Sequence, residues 1–312
     1  AELADGLLAG FELEQGEAIA LLNQNAFATG HAALALHDAS LLVASSEHAA
    51  ALSLEAFAAN RESLLHPAIA LVRGSAGVRT SLERLRALVE GGSPEARALQ
   101  DPLSFRTIPQ LHGAVRDALG FALDQLDIEL NGHQSNPLAV VDEDRFVSVG
   151  NFEIAGLAMA LDLARLAVGQ LVTAGAERAV KLLQAPLTGL PEGLGERPHL
   201  AESALSELGI AVQALAAEAR LLAQPVSLEL VSTTQAEGIE DRTTMAPLAA
   251  RRLADQVALA TRVVALELLL AAQAADLRDV PLGRGTTHVR ALVRTTAPFV
   301  GAGDPLPAVE PL

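Results

Sequence analysis

Apolar positions recur at helical spacing over long stretches of this chain, and the breaks between them are unusually polar. Residues 13–60 are rich in Ala, Leu and Glu, with Gly only at Gly16 and Gly30 and no Pro. These are strong helix formers, and the run exceeds an ordinary globular helix, which predicts one or two long helices broken near Gly30. A shorter helix is predicted over 80–89, closed by Gly91-Gly92-Ser93-Pro94. Over 111–130, Val115, Leu119, Leu123 and Leu126 share one face at spacings of three and four. Further helices are predicted over 154–183, over 201–222, and from Pro247 to about residue 275. Thr243 or Thr244 would cap the last of these, because a hydroxyl satisfies free amides and Pro suits a first turn. Residues 145–149 read as a short strand, and 186–198 as loop.

Helices this apolar are rarely solvated on any side. The pattern therefore predicts an all-α bundle that associates with further copies or subunits. Two segments are expected, 1–185 with the elaborate loops and 186–312 with the remaining helices. Glu267 interrupts the apolar run 263–275, and Asp162 and Arg165 interrupt 154–174. Neither run gives the near-continuous apolar span of about 20 residues that a membrane helix needs, so both read as buried helices.

The polar breaks hold the candidate chemistry. The first is Gln100-Asp101-Pro102-Leu103-Ser104-Phe105-Arg106-Thr107-Ile108-Pro109-Gln110. Each bracketing proline removes a backbone donor and pushes its predecessor toward extended geometry, which predicts a loop of set shape from which Gln100 and Arg106 project. The second break is Asn131-Gly132-His133-Gln134-Ser135-Asn136-Pro137 and the third Gly150-Asn151-Phe152. An irregular stretch over 224–244 carries Glu237 and Glu240. An Arg in a shaped loop can hold a carboxylate bidentately, carboxamides such as Asn23 can orient it, and a half-buried Glu can act as a base. The plain reading of the same residues is structural. Asn131 and Asn136 are favoured as turn or cap residues on turn propensity, and the Gln100 loop reads equally as a helix connection with an exposed Arg.

Composition narrows the classes. Of 312 residues half are hydrophobic, enough for a large core. The formal charge of -16, from 22 Lys+Arg against 38 Asp+Glu, repels nucleic acid and anionic membrane. With no Cys there is no disulfide, thiolate metal site or thiol nucleophile. With no Tyr there is no phenol to move a proton. His31 and His37 lie six apart, on different helix faces, and make a poor metal pair. No P-loop or Gly-x-Ser-x-Gly elbow occurs, and Gly193-Leu194-Gly195 lacks the third Gly of a dinucleotide fingerprint. The acidic opening Ala1-Glu2-Leu3-Ala4-Asp5 is unlike a secretory signal, and a cytoplasmic setting is expected.

Taken in order, seven blocks resemble the histidine/phenylalanine/tyrosine ammonia-lyase family. They are Leu22-Asn23; Gln100-Asp101-Pro102 through Arg106 to Pro109-Gln110; Asn131-Gly132 with Asn136-Pro137-Leu138; and Gly150-Asn151-Phe152. Ile239-Glu240-Asp241, Ala249-Ala250-Arg251-Arg252-Leu253 and Leu282-Gly283-Arg284-Gly285-Thr286 complete the series. The resemblance implies the aspartase-like long-helix bundle, a tetrameric core, and active sites assembled from several subunits. It also implies the prosthetic group methylidene-imidazolone (MIO), formed when an Ala-Ser-Gly tripeptide cyclises and loses two waters. That electrophile captures an aromatic amino acid, a base removes a β-proton, and ammonia departs to leave an α,β-unsaturated acid. By the same resemblance Arg106 would clamp the substrate carboxylate. Asn23 and Gln100 would orient the substrate and the prosthetic group, and Phe152 would pack on the reacting side chain. Glu240 would sit near the amine or the ring, with Glu237 a rival for that place.

Three departures from the family pattern shape the expectation. The chain contains no Ala-Ser-Gly; Ser75-Ala76-Gly77 has another order. Leu103 stands where the family has Tyr, and it can neither donate nor accept a proton. Glu153 replaces the usual His or Gln, and Ser135 the usual Asp. The resemblance thus implies the C-terminal two-thirds of a lyase, inactive by itself, whose MIO comes from a separate or cleaved N-terminal chain. Ile239-Glu240-Asp241 resembles the histidine-type members more than the others. The alternatives are a non-catalytic scaffold or binding subunit, and an aminomutase.

Overall fold

The computed structural model describes residues 10–197, 204–228 and 236–309. Seven helices of more than two turns order the described residues: α1 (Ala26–Phe57), α2 (Ala76–Leu88), α3 (Ile108–Asn131), α4 (Ala155–Leu182), α5 (Ser206–Leu222), α6 (Ala246–Arg278) and α7 (Arg284–Thr296). An antiparallel pair, β1 (Leu138–Val140) with β2 (Arg145–Val147), joins α3 to α4 and sets Ala139 opposite Phe146. Among the described residues the fold is all-α apart from this hairpin.

Helix directions follow from what the ends touch. Ala28, Ile154, Ala158 and Ala246 form one buried cluster, so α1, α4 and α6 begin together. At the other end the Ser53 hydroxyl and the Arg178 guanidinium both bind the Glu267 carboxylate. α3 runs the opposite way, from Phe105, which stacks on Phe57, past Arg116, which binds Glu47. α5 also runs back, since the Leu222 carbonyl at its close accepts from Arg165.

The core is built largely from alanine, which lets α1 and α6 lie close along their length. Ala32, Ala35, Ala39, Ala260, Ala271 and Ala274 are all buried. Every residue from 49 to 57 is buried, so the last nine residues of α1 are enclosed on all sides. One continuous apolar cluster takes residues from Ala32 to Val300, from both sides of residue 185. α4 and α6 are long and apolar enough to cross a membrane by length and composition, and both lie mostly buried in the bundle.

Charges inside this core are paired. Glu267 and Arg178, both fully enclosed, share contacts of 2.6 and 2.9 Å. Glu47 accepts from Ser81, Arg84 and Arg116 at 2.6 to 2.8 Å. Asp162, one of the interruptions in the apolar run, accepts from the Val226 and Ser227 amides and holds the turn after α5. Its pKa is lowered: burial would raise it, but these amides, the Ser227 hydroxyl and Arg165 together outweigh that. Removing either partner of such a pair strands a charge, which costs far more than the intact pair contributes.

Several boundaries differ from the pattern in the sequence. Gly30 lies inside α1 and breaks nothing; the break falls at residues 23–25. Mid-helix Gly costs about 1 kcal/mol against Ala, a small loss beside the burial of Ala28, Ala32 and Leu36 on either side. Pro109 does not close a loop. It occupies the first turn of α3, where no amide donor is required, and Leu103–Arg106 is itself a helical turn. Thr244 meets the first amide of α6 at a long 3.4 Å, and Met245 is the residue at the cap position. The helix expected over 201–222 is α5 from Ser206, and residues 201–203 lie outside the described residues. α7 was not expected at all. Its anchor is non-local: Glu55 on α1 accepts from Thr286 and from the Gly283 amide.

Candidate active site

The polar breaks gather at the two ends of the bundle. At the end where α1, α4 and α6 begin, four loops are tied to one another. The Asn25 carboxamide donates to the Phe152 carbonyl at 2.8 Å, joining the entry of α1 to the Gly150-Asn151-Phe152 loop. Asn136 accepts from the Val149 amide at 3.0 Å, which fastens the turn after α3 to the strand leaving the hairpin. Glu153 accepts from the Ala155 amide at 2.9 Å, starting α4, and its other oxygen lies 3.7 Å from Arg242. That ion pair brings the segment carrying Glu240 alongside Phe152.

Beside these loops lies a cavity of about 670 Å³, lined by Asn23, Gln24, Glu129, His133, Gln134 and Asn136 among others. Its polar wall combines four carboxamides, one carboxylate, the His133 imidazole and two hydroxyls, suited to a ligand with both donors and acceptors. Phe152 is 45% exposed, and Asn23, Glu237 and Glu240 are exposed too. Glu237 sits in a tight turn with φ of 58°, in the left-handed region. Asn131 spends its carboxamide on Asp127 within its own helix, the structural role that turn propensity favours.

The opposite end holds Gln100, Leu103 and Arg106. Asp101 is buried and accepts from the Asn60 amide at 2.8 Å. Burial raises its pKa, while the Asn60 amide and Arg106 pull it down. Phe105 is fully enclosed, with its ring 4.2 Å from that of Phe57. The Ser104 carbonyl accepts from Arg178. The segment 101–105 is therefore pinned at Asp101, Ser104 and Phe105, while Gln100, Leu103 and Arg106 are exposed. The Arg106 amide donates to the Pro102 carbonyl at 3.1 Å, while its guanidinium makes no hydrogen bond or ion pair with the described residues, so a cation stands ready on a rigid turn.

Within one chain these two groups do not meet. α1 spans the gap between them, and its 32 residues measure about 48 Å at 1.5 Å per residue. Asn23, Phe152, Glu237 and Glu240 come together at one end; Gln100, Leu103 and Arg106 come together at the other. Sequence reasoning missed Asn25 and Arg242, whose only signal was a polar residue next to a candidate, and it gave no sign that Gln24 and Gln134 share a cavity wall.

Comparison with known proteins gives a consistent result. Residues 2–295 match the family model for aromatic amino acid lyases. A histidine ammonia-lyase of Symbiobacterium thermophilum is 33% identical over 95% of this chain and 59% of its own length. The histidine ammonia-lyase structure from Trypanosoma cruzi superposes with a TM-score of 0.86 at 29% identity, over 97% of this chain and 58% of that one. A tyrosine aminomutase from Streptomyces globisporus gives 0.86 at 26% identity, over 96% and 62%. The chain thus spans a little under three-fifths of the curated relatives it matches.

Proposed function

The chain belongs to the aromatic amino acid lyase family, and from that we propose that it is the C-terminal part of an ammonia-lyase acting on an aromatic amino acid, histidine-type favoured. The observation that carries the reading is Arg106, an unpaired cation on a turn pinned by Asp101, Ser104 and Phe105. Such a guanidinium fits a carboxylate, which every amino acid substrate carries.

The family's prosthetic group would act as an electron sink at the amino acid, making ammonia a better leaving group. The residues present do not build it, since no Ala-Ser-Gly occurs. In this proposal a separate or cleaved N-terminal polypeptide brings it. This chain then contributes recognition and proton handling. Arg106 binds the carboxylate, with Gln100 and Leu103 beside it. Phe152 packs against the aromatic side chain. Glu240, held near Phe152 through the Arg242–Glu153 pair, accepts or directs a proton, and Asn23 orients the group at the cavity wall. Because the two sets lie about 48 Å apart, a complete site takes the Arg106 end of one copy and the Phe152 end of another. Exposed Phe27, Leu34 and Leu41, seven residues apart on α1, offer an apolar stripe for that association.

A non-catalytic binding subunit is the second reading. Leu103 favours it, because at 66% exposure it presents a bare apolar side chain where family members place a phenol. Denaturing mass spectrometry of the natively purified complex separates the two. A companion polypeptide lighter than its encoded mass by two waters supports the lyase; this chain alone supports the binding subunit. The aminomutase similarity makes β-amino acids a product to assay beside the unsaturated acid.

A further inference from the structure

Where α1 and α6 end, a second cavity of about 250 Å³ is lined by Glu55, Arg61, Glu95, Arg97, Arg278 and Pro281 among others. Its charges are unequally settled. Arg61 and Glu55 satisfy each other at 2.6 Å, and Arg61 also reaches the Val89 and Ser93 carbonyls. Glu55 further takes the Gly283 amide and the Thr286 hydroxyl. That pair is neutral as a unit.

Arg97 and Arg278 have no such partner: no carboxylate among the described residues lies within ion-pair distance of either. Arg278 donates through Nε to the Ala56 carbonyl and through Nη2 to the Thr188 carbonyl, which leaves Nη1 unused. Burial, and then the nearness of Arg97, push its pKa down. The Arg97 amide donates to the Ala58 carbonyl at 3.0 Å. Its guanidinium lies against Gly189, whose φ is 68° and where an added Cβ would collide with Nη1 and Cζ. Two like charges are thus held side by side by backbone contacts, in a chain whose net charge is -16.

We propose that this cavity binds a small oxyanion of the phosphate class, gripped by Arg97 and the free Nη1 of Arg278. Two planar guanidiniums offer several N–H donors in fork geometry, the arrangement that suits a tetrahedral anion. The volume exceeds that of inorganic phosphate and leaves room for a short organic substituent, so the free ion and a phosphate monoester share the chemistry. Glu95, exposed at the rim, is the internal competitor for Arg97. Residues 93–97 run directly into the turn that carries Gln100 and Arg106, so occupancy braces that turn from behind.

The test is calorimetric titration of the purified full chain with sodium phosphate and, separately, with a simple alkyl phosphate, against sodium chloride at matched ionic strength. Saturable binding of one phosphate per chain is expected, weakened at least tenfold in Arg97→Gln and strengthened several-fold in Glu95→Gln. Arg97 is exposed, so its replacement leaves the far-ultraviolet helical signal unchanged. Arg278→Lys keeps the charge and the fold's cation while losing the fork, and also weakens binding. Tighter binding of the alkyl phosphate identifies an ester as the ligand, and saturation by inorganic phosphate alone identifies the free ion. Absence of saturable binding in both the parent chain and Glu95→Gln overturns the proposal, as does full affinity in Arg97→Gln.

Discussion

His112 is completely enclosed on α3, and neither ring nitrogen meets a partner among the described residues. Burial, with Arg178 and Arg116 nearby, holds its pKa well below the ordinary 6.5. Below about pH 6.5 the unfolded chain takes up a proton that the folded chain refuses, so this residue makes stability fall with acid, by at most about 1.4 kcal/mol per pH unit. Above that range it contributes no slope. Urea midpoints between pH 7.5 and 5.5 should show the decline, and His112→Gln should remove that part of it; equal slopes in the two proteins would refute the assignment. Glycines give a second contrast. A Cβ on Gly113 would strike the Val78 backbone where α2 crosses α3, whereas one on Gly120 meets nothing within 4 Å. Gly113→Ala should destabilise by about 1–3 kcal/mol through overpacking. Gly120→Ala should stabilise by up to about 1 kcal/mol through helix propensity. Equilibrium unfolding of the pair checks both signs. For Arg106→Ala, loss of a charged hydrogen-bonded contact of about 1.5–3 kcal/mol predicts a fall in kcat/KM of about 10- to 100-fold in the reconstituted enzyme. Its urea midpoint should move little, since the Arg106 side chain is exposed.

At the scale of elements, the loops are held by single side chains. Asn136 carries the join between the turn after α3 and the strand that leads to Phe152. Asn136→Ala should speed hydrogen exchange at the Val149 amide and through residues 148–153, while amides inside α1 keep their protection. Uniformly faster exchange throughout would mean that the contact serves the whole fold. The periodicity of 111–130 was legible because Val115, Leu119 and Leu126 are buried on one face, whereas Leu123, expected with them, lies at the edge of that face and is 41% exposed. Gly30 and Pro109 misled for one reason. Propensity describes an isolated segment, and both residues sit where tertiary packing or a first helical turn cancels their usual effect. α7 escaped notice because its start depends on Glu55, some 230 residues earlier in the chain.

At the scale of the molecule, the split between the two ends makes the proposed site a shared one. Arg106→Ala and Glu240→Gln should each lower activity when made alone. Co-assembled, the two variants should recover about a quarter of the parent activity if copies mix randomly, because some sites then draw both intact ends. Failure to recover would place Arg106 and Glu240 in separate functions. The amino-acid order by itself determined the all-helical class, the succession of polar breaks and the resemblance to the lyase family. Each is a local property, carried by residues a few positions apart. Only the tertiary structure decided that Gln100 and Arg106 face away from Asn23, Phe152 and Glu240, and that Arg97 and Arg278 meet at a cavity. Helix direction and cavity walls come from burial between segments far apart in sequence, and no local pattern records which ends lie together.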